Sequence, residues 1–216
     1  MALSVSAADD HDGWKKVKTF SDLSTANGSG GLHAISEGEY YLDNDITVNT
    51  GFVVEDGPVT ICLSGYKLSL SSGSEASAAI TVRNGQSLYI ESCGNKENAA
   101  LYNPRNSESA YAVFVTDNGK VTFSDATVKS EHGSAVRVEN GVVRLETGLI
   151  FGEQRGVYMT SGSLQVKYGK VIGYKKYGIE VGAPASEPVP TSITVSDGEV
   201  SGMSGPILAR SEGTAK

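Results

Sequence analysis

Cysteine, proline and surplus positive charge are all scarce in this chain, and each shortage removes a class of protein. Two cysteines in 216 residues, Cys62 and Cys93, are too few for a disulfide scaffold. Eighteen Lys and Arg against 25 Asp and Glu leave a net charge of −7, with no basic stripe beside an aromatic platform, which argues against a nucleic-acid partner. No apolar run is long enough to span a bilayer. Proline occurs six times and is missing from every interior strand run, as ladder hydrogen bonding demands. No Ser, His and Asp set with supporting motifs and no Cys and His metal spacing is present, so no catalytic residue and no metal site is assigned.

What the chain does have is one short phrase written repeatedly. Ala112-Val-Phe-Val-Thr-Asp-Asn-Gly-Lys-Val-Thr-Phe is followed by Ala135-Val-Arg-Val-Glu-Asn-Gly-Val-Val-Arg-Leu, then Gly156-Val-Tyr-Met-Thr-Ser-Gly-Ser-Leu-Gln-Val, then Gly178-Ile-Glu-Val-Gly. The openings at 112, 135, 156 and 178 are 23, 21 and 22 residues apart, and a period near 22 in a β-rich sequence means stacked coils. Within each copy apolar residues alternate with polar ones, as in Val113 and Val115 or Val136 and Val138, which puts one set inside and the other outside a strand. A turn pair follows at a fixed offset (Asn118-Gly119, Asn140-Gly141, Ser161-Gly162), then a second alternating strand. A third short strand closes the coil, as in Gly148-Leu-Ile-Phe-Gly and Gly169-Lys-Val-Ile-Gly. Asn-Gly is also the strongest short hairpin signal, but a hairpin does not explain why the whole pattern returns in register.

The reading is therefore all-β: a right-handed parallel β-helix of about eight coils, about 40 Å long at about 4.8 Å per coil. Glycine, at 26 of 216, is well above its usual level of about 7% and falls at the coil corners. Residues 1–13 read as a polar leader or signal remnant, 14–26 as a helical cap in which Trp14, Val17, Phe20 and Leu23 recur at three-residue steps, 27–210 as the β-helix and 211–216 as a tail. Val5-Ser6-Ala7 ahead of acidic residues suits a secretory cleavage site, so export to the medium or the cell surface is expected. Two stretches break the period, a polar loop at 93–108 and Gly182 to Thr191. Cys62, between Ile61 and Leu63, is expected to face outward; the pair reads as free thiols, or as one bridge between neighbouring coils. No apolar cap follows the last coil opening at Gly205, so either another element covers that end or the native chain continues.

Glu37-Gly-Glu-Tyr-Tyr-Leu-Asp-Asn-Asp-Ile-Thr-Val, followed by Val59-Thr-Ile-Cys-Leu-Ser-Gly-Tyr-Lys-Leu, resembles the opening of right-handed parallel β-helix domains in large surface proteins of Gram-positive gut bacteria, over about residues 14 to 210. The resemblance implies an adhesive or carbohydrate-binding role, as a monomer or as part of a longer surface protein. More distant enzymes of similar fold, the pectate lyases and polygalacturonases, keep a polysaccharide lyase or glycoside hydrolase open as the rival, and a stalk or spacer as a third reading.

The register lets outward ladders be written down. Thr81, Phe114, Arg137, Tyr158 and Glu180 should lie above one another, with Arg137 sandwiched between the two rings as a cation-π stack. Phe114, Arg137, Tyr158 and Glu180 are therefore the candidate ligand-binding set, for a polysaccharide or a host glycan or protein surface. In these ladders acids sit singly, whereas polyuronate hydrolysis needs paired carboxylates and lyases of this fold a Ca²⁺ cluster. No cofactor is expected; Ca²⁺ has one candidate position, Asp43-Asn44-Asp45, which a short Asx turn explains as well. Glu131-His132 reads as a solvated corner.

Overall fold

The computed structural model describes residues 11–93, 98–182 and 190–209. The expected tail at 211–216, the first ten residues and the centres of both irregular loops lie outside them. The body is a β-solenoid of three sheets. Sheet I has eight strands, from Lys15–Val17 to Thr191–Val195; sheet II has seven, from Ile46–Val48 to Glu199–Gly202; sheet III has nine, from Ser24–Asn27 to Gly205–Ala209. Among the described residues every pairing is parallel except that of Ser24–Asn27 with His33–Ile35. The seven strands of sheet II make about seven coils rather than eight.

The core is a set of inward columns, one residue per coil. In sheet I, Tyr40, Ile61, Ile90, Phe123, Leu145, Val166 and Val195 stack in register, and in sheet III Phe52, Ile80, Val113, Val136, Val157, Ile179 and Ile207 do the same. Nearly all are fully buried, but the last members are not: Val195 is 38% exposed and Ile207 43%, because no described residue lies over the final coil. The Asn-Gly pairs are corners between sheets. Asn118 and Asn140 adopt positive φ, 62° and 55°, and turn the chain from sheet III into sheet I, so the flanking strands never pair with each other.

At the other end the expected helical plug at 14–26 is a strand, Lys15–Val17, one helical turn, Phe20–Leu23, and a second strand, Ser24–Asn27. The three-residue spacing is real in burial but not in conformation. Val17 enters the core from a strand paired with Gly38–Leu42, and Leu23 enters it from the helical turn. Strand pairing wins because it also satisfies the backbone edges of sheets I and III, which a longer helix would leave open. Phe20 closes over Phe52, with ring centroids 5.6 Å apart. The leader is anchored from His11, whose ring stacks on Tyr41 at 4.5 Å. The polar loop expected at 93–108 contains a strand, Ala100–Asn103, which completes its coil in sheet II.

Both cysteines are joined in one disulfide, and none is free among the described residues. Cys62 holds the outward register of Tyr41 and Glu91, yet it is fully buried. The bridge to Cys93 and the Ser64 hydroxyl, 3.2 Å from its sulfur, close over it.

Candidate functional site: two ladders of rings and charges

On sheet III the expected ladder is in register: Thr81 pairs with Phe114, Phe114 with Arg137, Arg137 with Tyr158 and Tyr158 with Glu180. The side chains arrange themselves differently. The Arg137 guanidinium lies 5.2 Å from the Phe114 ring and 5.3 Å from that of Tyr111, not against Tyr158. It donates to Tyr111 Oη at 3.1 Å and pairs with Glu139. The Tyr158 ring is covered by Arg155 at 5.0 Å, and Arg155 Nε donates to Glu180 Oε2 at 2.6 Å. The single sandwich is thus two separate units. Tyr111 and Glu180 are only 6% and 5% exposed, and the ring faces are engaged by guanidinium groups. Tyr111 and Arg155 escaped the sequence argument because both sit where a corner enters a strand, and alternation does not fix side-chain direction there.

The sandwich geometry occurs instead on sheet II. Tyr102, Lys129, Phe151 and Ile172 form one outward column. Lys129 Nζ lies 5.6 Å from the Tyr102 ring and 5.8 Å from the Phe151 ring. Phe151 meets Tyr174 at 6.5 Å with planes tilted by 35°, and Tyr174 is 57% exposed. Alternation in the third strand of each coil would have revealed this column, since Lys129 and Phe151 occupy the same position of their copies.

Charges flank these rings at the corner that follows. Tyr102 Oη donates to Glu131, and burial together with this acceptor pushes the Tyr102 hydroxyl above the usual phenol range. Glu153 lies on the next coil at the same corner. It is bound by Lys175 Nζ at 3.0 Å and approached by His132 Nδ1 at 3.3 Å. The Lys175 hydrogen bond, more than any other contact, holds the Glu153 carboxyl below its ordinary range. Here acids fall on adjacent coils, whereas in the ladder read from sequence the acid sits singly. The corner is built by a column of small residues, Asn103, Ser130, Gly152, Gly173 and Gly202. A Cβ on Gly152 would overlap the Arg155 carbonyl, and one on Gly173 that of Tyr177, so on these two coils the carbonyl comes closer than any side chain would allow.

Elsewhere the surface offers less chemistry. Asp43 faces Lys16 and Lys18 at 3.6 and 3.7 Å, while Asp45 Oδ1 accepts from the Lys67 amide at 2.8 Å, so the triplet spreads its carboxylates over separate partners instead of gathering them on one cation. Two shallow depressions on sheet I are lined by such residues as Asn118, Lys120, Asn140, Arg144, Gln165 and Thr194, with no carboxylate in either lining. No described helix is long and apolar enough to cross a membrane. Comparisons with protein-family profiles, with curated proteins and with solved structures give no match, so the solenoid and its ladders stand on their own geometry.

Proposed function

We propose that this is an exported, surface-displayed recognition module that binds extended carbohydrate without cleaving it, along the outer face of sheet II. The observation that carries the reading is the Tyr102, Lys129 and Phe151 stack continuing to the exposed Tyr174. Sugar rings present flat C–H faces to aromatic rings and hydroxyls to charged flanks, and this corner offers both, with Glu131, His132, Glu153 and Lys175 beside the rings. Repetition at about 4.8 Å per coil suits a ligand that itself repeats. The candidate set on sheet III, Phe114, Arg137, Tyr158 and Glu180, takes second place because it is more sheltered: Glu180 is 5% exposed and the neighbouring Tyr111 6%, against 57% for Tyr174.

The rival is a hydrolase, and one observation favours it: Glu131 and Glu153 share a corner with His132. Against it, both carboxylates are already engaged, Glu153 by Lys175 Nζ and His132 Nδ1 and Glu131 by the Tyr102 hydroxyl. The test is to incubate the chain with plant, mucin and bacterial polysaccharides, with and without Ca²⁺, scoring retention and new chain ends together. Retention that Tyr174→Ala abolishes, without new ends, supports the module; new ends make it an enzyme, and neither result leaves a spacer.

A further inference from the structure

The disulfide is not alone in its pocket. His11 Nε2 lies 3.1 Å from Cys93 Sγ, and the ligand atoms of His11, Cys62 and Cys93 all fall within 4.8 Å of one another. The imidazole is held in place from two sides, stacked on Tyr41 at 4.5 Å with planes 10° apart and met edge-on by Trp14 at 5.2 Å. Ser64, at positive φ of 49°, places its hydroxyl 3.2 Å from Cys62 Sγ and 3.8 Å from Cys93 Sγ. A nitrogen, two sulfurs and a hydroxyl therefore converge on one point from three separate parts of the chain.

We propose that the reduced protein binds one Zn²⁺ here, through Cys62, Cys93 and His11, with the Ser64 hydroxyl or a water in the fourth position. Two thiolates and one imidazole are a donor set that Zn²⁺ takes in tetrahedral geometry. Two Zn–S bonds of about 2.3 Å at the tetrahedral angle set the sulfurs about 3.8 Å apart. The Cα atoms of the two cysteines are 6.2 Å apart, a separation that serves a bridge and, after side-chain rotation, this wider sulfur spacing too. The chemistry balances in two steps. A dithiol reductant passes two electrons and two protons to the bridge and is itself oxidised to a disulfide. Zn²⁺ then displaces the two thiol protons, which leave to solvent. Bridge and ion use the same sulfurs, so the site is closed in an oxidising compartment and open in a reducing one.

Cobalt(II) tests this on the full-length chain, since tetrahedral thiolate ligation gives intense d–d bands and a sulfur-to-metal charge-transfer band. The air-oxidised protein is expected to bind none. After phosphine reduction it should bind one equivalent, with both bands present and bleached by Zn²⁺. His11→Ala should weaken binding by about tenfold or more and alter the d–d bands. The proposal is overturned if the reduced chain binds no more tightly than a Cys62→Ser/Cys93→Ser variant or the oxidised chain. It is equally overturned if His11→Ala leaves affinity and spectrum unchanged. Loss of the far-ultraviolet strand signal on reduction also overturns it, because the three ligands meet only on the folded coils.

Discussion

Arg155 and Glu180 form an ion pair at 2.6 Å with only 17% and 7% of their side chains exposed. The guanidinium simultaneously covers the Tyr158 ring, so one cation serves two coils. Removing one partner of so sheltered a pair leaves the other charge poorly compensated, a loss of about 3 kcal/mol. Arg155→Met should lower the unfolding free energy by that amount, read as a lower denaturation midpoint with an unchanged m-value. The Arg155→Met/Glu180→Leu double variant should recover most of it, because apolar replacement of both members restores packing. A double variant as weak as the single one would mean that the pair is not what holds this corner.

The two ladders separate binding from stability. If carbohydrate lies along sheet II, Tyr174→Ala should reduce glycan affinity by about tenfold or more, as truncation of an exposed aromatic anchor does, and leave thermal unfolding nearly unchanged. Phe114→Ala should show the opposite pattern, because its half-buried ring packs under Arg137. Titration of both variants against a retained polysaccharide, with parallel melting curves, checks the separation. Loss of affinity only in Phe114→Ala would return the site to sheet III.

The contrast between those ladders shows where sequence reasoning carries and where it stops. Period-two alternation states which residues share a rung, and the rungs from Thr81 to Glu180 are as read. It does not state which neighbour a long side chain chooses. Arg137 turns to Tyr111 because that hydroxyl accepts from it, and Tyr111 lies outside the repeated phrase's alternating core. At 14–26 a three-residue spacing suited a helix equally well, and the unpaired edges of two sheets decided for strands. The bridge between Cys62 and Cys93 depended on where a loop folds back, which no spacing encodes.

Gly173 tests how tightly the corner before sheet III is wound. It sits between Gly152 and Gly202 in one column, and a Cβ there would overlap the Tyr177 carbonyl. Gly173→Ala should therefore destabilise by more than about 1 kcal/mol, despite the usual gain from a less flexible unfolded chain. Equilibrium unfolding measures this, and a stabilised variant would show that the backbone has room to move.

Acid should loosen the N-terminal end first. Asp22 Oδ2 accepts from the Lys18 amide at 2.9 Å, the Thr19 amide at 2.8 Å and the Thr19 hydroxyl at 3.0 Å, and these bonds, led by the Lys18 amide, hold its carboxyl below the ordinary range. Glu55 is lowered likewise, first by the Ser29 hydroxyl and then by the Ser29 amide, with Arg83 adding to both. A lowered folded-state pKa contributes stability that is complete above the unfolded value, about 4, and is lost as pH falls through the folded one. Hydrogen exchange of amides in 17–35 should accelerate relative to the central coils below about pH 4. In Asp22→Asn the helical turn should already exchange faster at neutral pH, with a smaller further change on acidification. Uniform acceleration along the whole solenoid would remove these two carboxylates as the cause.

The disulfide should stabilise through the unfolded chain as well as the folded one. Cys62 and Cys93 are 31 residues apart and their loop encloses a whole coil, so cross-linking removes loop-closure entropy worth about 3 to 4 kcal/mol. Cys62→Ala/Cys93→Ala should lose about that amount at equilibrium, and wild-type protein under reductant should fall to the same level. The His11 stack on Tyr41 does not depend on the bond, so the N-terminal arm should stay docked in both. Adding Zn²⁺ then separates the two reduced forms. It should raise the midpoint of the reduced wild type, in proportion to the logarithm of free metal, because an ion that binds only the folded chain stabilises it by mass action. The double-alanine variant lacks both sulfurs and should not respond. A response in both would place the ion elsewhere, and a response in neither would leave the sulfurs with the bridge as their only role.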